Sequence, residues 1–141
     1  MNSENIVFVE DDADDIFLLK MACKKAGMTG SANFLENGRR AVEFFKPKLP
    51  LRENRSKPFL IFLDLNMPEM NGFEFLKWLR QEAAVSSVPV IILSTSENPM
   101  DIAKAYDVGA NAYLVKANSI DDLTSLISVS LQFWTRLNRQ V

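Results

Sequence analysis

Five times along this chain a short apolar run gives way to polar residues and then to a stretch long and amphipathic enough for a helix. The runs are Ile6-Val7-Phe8-Val9, a weaker one at residues 32–35, Phe59-Leu60-Ile61-Phe62-Leu63, Val90-Ile91-Ile92-Leu93 and Ala112-Tyr113-Leu114-Val115. A strand that is apolar on both faces must be covered on both faces, and helices that return the chain between parallel strands provide that cover. The fold class is therefore α/β, a doubly wound five-stranded parallel sheet with helices on both sides. Local signals mark the joints. The first helix closes near Gly27, Asn37-Gly38 leads into a helix over 39–45, and a third helix over 73–83 carries Phe73, Leu76 and Leu79 or Arg80 at helical spacing. Asn98-Pro99 reads as an N-cap with proline at the first helical position, Gly109 as that helix's end, and Ser119 with Asp122 as a capping box for the last helix. Five such units fill residues 1–141 as one domain, with no separate output domain expected.

Composition narrows what such a sheet can do. A hydrophobic content of 48% over 141 residues fills a real core. A net charge of -2 lacks the dense basic surface of a phosphate-driven nucleic-acid binder. The start, Met1-Asn2-Ser3-Glu4-Asn5, has no signal-peptide character and no apolar stretch approaches a membrane span, so a cytoplasmic protein is expected. Cys23 is the sole cysteine and histidine is absent, which excludes an internal disulfide, cysteine or histidine zinc cages and histidine-based catalysis. The irregular piece from Lys46 to Pro58, with Pro47, Pro50 and Pro58, is expected to be a solvated surface loop.

The chemistry collects at the strand ends. The first strand ends in Glu10-Asp11-Asp12, the third in Asp64, the fourth in Ser94-Thr95-Ser96 and the fifth in Lys116. Parallel strands deliver all of these to one rim, where open α/β sheets bind ligands. In the common doubly wound order 2-1-3-4-5, strands one and three are neighbours, which would set Glu10 and Asp11 beside Asp64. Two carboxylates 5 Å apart repel by about 3 kcal/mol at an effective dielectric of 20. Lys116 is one offset, and a divalent cation is a stronger one. An all-oxygen site with room for water suits Mg²⁺, an ion that commonly bridges carboxylates to phosphate. Lys116 and the Ser94 hydroxyl could then contact phosphate oxygens, leaving Asp64 as a nucleophile able to form an acyl phosphate.

Taken together, Phe8-Val9-Glu10-Asp11-Asp12, Asp64-Leu65-Asn66-Met67-Pro68-Glu69-Met70-Asn71-Gly72, Pro89 through Ser94-Thr95, and Tyr113-Leu114-Val115-Lys116 resemble the receiver domain of two-component response regulators. The match spans essentially the whole chain in the right order. It implies the flavodoxin-like strand order 2-1-3-4-5 and a phosphoacceptor switch, not an enzyme, that takes a phosphoryl group from a histidine kinase. By position, Asp64 is the phosphoacceptor. The resemblance implies that Mg²⁺ would be bound by the Asp11 and Asp64 carboxylates, by the Asn66 backbone carbonyl and, through water, by Glu10. By the same resemblance Lys116 would contact the phosphoryl group, Ser94 would be the switch hydroxyl, and Tyr113 the aromatic that turns inward with it. Asp12 is expected to be a helix N-cap, and Asp14 and Asp15 to favour the helix N-terminus without further function. Met67 and Met70 are expected to pack within the turn. One position departs from the family: Ala117 stands where a proline usually follows the lysine through a cis peptide, a bond that costs about 3 to 4 kcal/mol before alanine and about 1 or less before proline. The aim of Lys116 is thus not set in the family's way.

From Ile120 to Leu137 the apolar residues exceed the one stripe needed to cover a sheet. A homodimer through the fourth helix, fifth strand and fifth helix is expected, a face receivers commonly use. The long final helix with Phe133-Trp134, the proline-rich loop and the missing proline after Lys116 resemble the stand-alone regulators paired with bacterial phytochromes. Two other classes share parts of the pattern. A pseudo-receiver acting as a constitutive interaction module would be expected to lose an acid or the lysine, and all are present. A phosphatase with an aspartate nucleophile would need an acid where Asn66 stands.

Overall fold

The computed structural model describes residues 6–28, 32–46, 60–82 and 85–134. Its elements run β1 (Ile6–Val9), α1 (Ala13–Lys25), β2 (Asn33–Leu35), α2 (Gly38–Phe45), β3 (Leu60–Leu63), α3 (Gly72–Gln81), β4 (Val90–Ser94), α4 (Pro99–Val108), β5 (Ala112–Val115) and α5 (Ile120–Gln132). The strands form one parallel sheet in the order β2-β1-β3-β4-β5, as expected. Phe59, Ala83, Leu137 and the proline-rich segment 47–58 lie outside the described residues.

Side chains alternate across a strand, and here both alternating sets are apolar. Val7, Val9, Ile61, Leu63, Val90 and Ile92 face a core shared with Ala41 and Phe45 of α2, Phe75, Leu76 and Leu79 of α3, and Ala105 of α4. Ile6, Phe8, Leu60, Phe62, Ile91 and Leu93 face the other way, onto Leu19, Ala22 and Cys23 of α1 and Leu123, Ile127 and Leu131 of α5. Register carries Phe8 between Phe34 and Phe62, and the three rings stack with centroids 4.9 and 4.7 Å apart. The outer strands β2 and β5 pair on one side only and are less buried, which explains the weaker apolar signal of β2.

The caps follow the chain's local chemistry. Asp12 Oδ1 accepts from the backbone N–H groups of Asp14 and Asp15, Asn98 from that of Met100 behind Pro99, and Ser119 from that of Asp122. Asn71 and Glu74 form a reciprocal capping box that starts α3 at Gly72, one residue before the expected 73. On α3, Leu76 and Leu79 enter the core, Phe73 lies half-buried beneath the Lys104 ammonium, and Arg80 turns to the amino-end of the sheet. There Arg80 donates to the carbonyls of Gly109, Ser86 and Val88 and to Asn111 Oδ1, at 2.7 to 2.9 Å.

The surplus apolar residues of α5 divide. Leu126 and Trp134 pack partly against the α1/α5 core, while Val129 and Phe133 are exposed. Among the described residues, no helix is long and apolar enough to cross a membrane.

Candidate functional site

Register alone brings the acids together. β1 and β3 pair as far as Val9 with Leu63, and the Asp64 N–H donates to the Val9 carbonyl at 3.0 Å, so the next residues in line are Glu10 and Asp64. Carboxylate oxygens of Glu10, Asp11 and Asp64 lie within 4.8 Å of one another. Glu10 and Asp64 are buried and Asp11 is exposed, so the cluster has a closed floor and an open mouth.

The backbone beneath Asp64 is held from α3. The Gly72 N–H donates to the Leu65 carbonyl, and a Cβ at Gly72 would sit 2.3 Å from the Asp64 carbonyl oxygen. Only glycine lets the helix begin this close to the acid. Asn66 follows in the same turn and is exposed, Met67 is buried in the core, and Met70 packs partly against it. Glu69 takes a left-handed backbone, φ 65°, and pairs loosely with Arg39.

Lys116 enters from β5. Its backbone N–H donates to the Ser94 carbonyl at 2.7 Å, extending the β4–β5 ladder one residue past Val115. Its ammonium is almost buried and donates to Glu10 Oε1 at 2.5 Å and to Asp15 Oδ2 at 3.0 Å. The other Glu10 oxygen accepts from the Asp12 N–H. Both Glu10 oxygens are thus engaged, which leaves Asp11 and Asp64 as the carboxylates open to a direct ligand.

Ser94 is fully buried, and its Oγ accepts from the Ser96 N–H at 3.1 Å. Tyr113 is half-buried and donates its hydroxyl to the Ser96 carbonyl at 2.9 Å, while Ser96 Oγ donates to Asp101 of α4. The hydroxyl, the aromatic and the start of α4 are linked through one residue, Ser96.

Electrostatics follow from this packing. Burial raises the Asp64 carboxyl to about 7, the Glu10 and Asp11 charges push it the same way, and Lys116 opposes them. Burial raises Glu10 as well, against the pull of Lys116. Burial would lower Lys116, but its hydrogen bond and charge interaction with Glu10 win and raise it, so it stays an ammonium. The single thiol, Cys23, is buried and pushed up to about 12, which leaves it unreactive. The carboxylates of Glu10, Asp11, Asp64 and Asp15 against one ammonium form a site short of positive charge, and its metal-binding atoms are all oxygen. This set fits a small hard divalent cation such as Mg²⁺.

Of the expected residues the structure brings Glu10, Asp11, Asp64 and Lys116 together, links Ser94 and Tyr113 through Ser96, and leaves Asn66 exposed two residues after Asp64. Asp15 was not expected beside Lys116, because a first-turn acid is already explained by the helix N-terminus. The available signal was positional: Asp15 lies in the first turn of α1, which starts three residues after Glu10. Gly72 was equally hidden, since its role depends on a backbone approach that sequence does not display.

The family model of the response regulator receiver domain matches residues 6–128. The chain is 31% identical over 134 residues to the probable methanogenesis regulatory protein FilR2 of Methanothrix harundinacea (strain 6Ac), covering 95% of this chain and 85% of that one. It is 32% identical over 129 residues to the response regulator Rcp1 of Synechocystis sp. (strain ATCC 27184 / PCC 6803 / Kazusa), covering 92% and 87%. The Mn(2+)-bound crystal structure of Rcp1 superposes with a TM-score of 0.79 at 30% identity over 96% of this chain and 97% of that one. The phosphorylated cyanobacterial phytochrome response regulator RcpA superposes with a TM-score of 0.83 at 30% identity over 96% of both chains. The chain belongs to the response regulator receiver domain family.

Proposed function

We propose that this receiver domain is a phosphoacceptor switch in which Asp64 takes a phosphoryl group from the phosphohistidine of a histidine kinase. The observation that carries the reading is the approach of the Glu10, Asp11 and Asp64 carboxylates within 4.8 Å of one another, with the Lys116 ammonium bound to Glu10. An Asp64 Oδ attacks phosphorus in line, the bond from phosphorus to the donor breaks with its electron pair leaving on the donor, and an acyl phosphate forms. Asp11, Asp64 and the Asn66 carbonyl would hold Mg²⁺ directly and Glu10 through water. That ion, when bound, would neutralise both the carboxylates and the incoming phosphoryl oxygens. Lys116 fixes one phosphoryl oxygen. Ser94, drawn to another, releases its hold on the Ser96 N–H, and Tyr113 turns inward as the Ser96 segment moves.

RcpA in a phosphorylated form and Rcp1 with Mn²⁺ support the same chemistry here, and their kinship favours a phytochrome-type kinase as donor. Signalling would pass through protein contacts, including a homodimer through α4, β5 and α5, where Met100, Tyr106, Val115 and Val129 are exposed.

Incubation with acetyl phosphate and Mg²⁺, followed by intact mass, tests the reading. Wild type gains one phosphoryl group and Asp64→Asn gains none. Equal gain by both proteins, or gain by neither, overturns it.

A further inference from the structure

Lys116 has three N–H donors, and two of them are taken by carboxylates, Glu10 Oε1 from the residue that follows β1 and Asp15 Oδ2 from the first turn of α1. Each of those acids is itself braced. The Asp12 N–H holds the far oxygen of Glu10, and the Asp12 side chain caps the Asp15 N–H, so Asp12 fixes both arms of the clamp. Ala117 follows the lysine, so the side chain's aim depends on its partners more than on a rigid backbone.

We propose that Asp15 is a positioning residue for Lys116, a second anchor that holds the ammonium across the rim and leaves its third N–H for a phosphoryl oxygen on Asp64. The inference rests on the phosphoacceptor reading and adds a residue to it. An ammonium on a four-carbon stem held only by Glu10 can swing about that one bond, and each alternative direction reduces the time it spends over the acceptor. With Asp15 in place, two of its three donor directions are fixed and the third follows from tetrahedral geometry.

The sign of the effect separates positioning from simple electrostatics. Removing a negative charge from the rim eases the approach of an anionic phosphodonor, which by itself speeds transfer. Loss of an anchor slows it.

The experiment follows phosphorylation by acetyl phosphate with Mg²⁺ by intact mass for wild type, Asp15→Asn, Asp15→Glu, Lys116→Ala and the double variant Asp15→Asn/Lys116→Ala. Asp15→Asn is expected to slow transfer about tenfold, and Asp15→Glu, which keeps the carboxylate, to recover to within about threefold of wild type. In the Lys116→Ala background, Asp15→Asn is expected to change the rate less than twofold, because there is no ammonium left to aim. Wild-type or faster transfer by Asp15→Asn overturns the proposal, and so does the same tenfold slowing when Lys116 is absent. A wild type that gains no phosphoryl group overturns the phosphoacceptor reading and this inference with it. A phosphorylated wild type with an indifferent Asp15→Asn overturns this inference alone.

Discussion

Replacing the acceptor by its neutral isostere should make the metal-free protein more stable, and the gain should depend on pH. Burial beside Glu10 and Asp11 raises the folded Asp64 carboxyl to about 7, against 3.8 ordinarily. At pH 5 to 6 the folded state therefore still holds the Asp64 proton while the unfolded chain has released it. The unfolded state binds fewer protons in this window, so stability falls as pH rises. The contribution is fully present below about pH 3.8 and is lost as pH climbs through about 7. A difference of about three pH units at 1.36 kcal/mol each sets a ceiling of about 4 kcal/mol. Glu10 and Lys116 share the same charge balance, and asparagine carries its own burial cost, so a net effect of about 1 to 3 kcal/mol is expected. Urea unfolding of wild type and Asp64→Asn in chelator should show the variant more stable at pH 8, with the gap closing toward pH 5. Millimolar Mg²⁺ should raise wild type at pH 8 and leave Asp64→Asn nearly unmoved. A variant less stable than wild type at pH 8, or a gap identical at both pH values, would refute the argument from buried charge.

Three further outcomes follow from particular contacts. Lys116→Met strands the buried Glu10 carboxylate and should lower stability by about 2 to 4 kcal/mol in denaturant titrations at pH 8; no loss there means that Glu10 is satisfied without the lysine. Gly72→Ala forces the start of α3 away from the Asp64 carbonyl and should cost about 1 to 3 kcal/mol, with amide shifts in NMR spectra concentrated over residues 64–72; shifts confined to position 72 would contradict the close approach. If α4, β5 and α5 pair two copies, Val115→Glu combined with Val129→Glu should halve the mass seen by light scattering, and an unchanged dimer mass would remove this face as the interface.

The alternation of apolar runs announced the layered sheet because both faces of each inner strand are apolar, and Asp12, Asn98 and Ser119 announced helix starts because capping is a local bond. The acidic rim was legible for a similar reason: parallel strands put the residues after them at the same end. Contacts between distant residues were not legible. Asp15 and Lys116 lie 101 positions apart, and the acid's local explanation concealed its tertiary one. Arg80 shares the spacing of an apolar helix face, yet its guanidinium binds backbone carbonyls that exist as targets only after β4 and β5 are paired. The surplus of apolar residues in α5 overstated its outward face, because Leu126 and Trp134 are used partly by the molecule's own core.

The Arg80 bonds bear on how α4 can move. Arg80 grips the carbonyl of Gly109, the C-cap of α4, while at the other end of the helix Asp101 accepts from Ser96 Oγ. A helix held most firmly toward one end answers a push at the other chiefly by tilting. Ten residues at 1.5 Å make a lever of about 15 Å, so a 1 Å displacement at Ser96 becomes a rotation of about 4° about Gly109. Phosphorylation at one rim of the sheet would then be read as a tilt of α4, largest beside Ser96 and vanishing at the arginine.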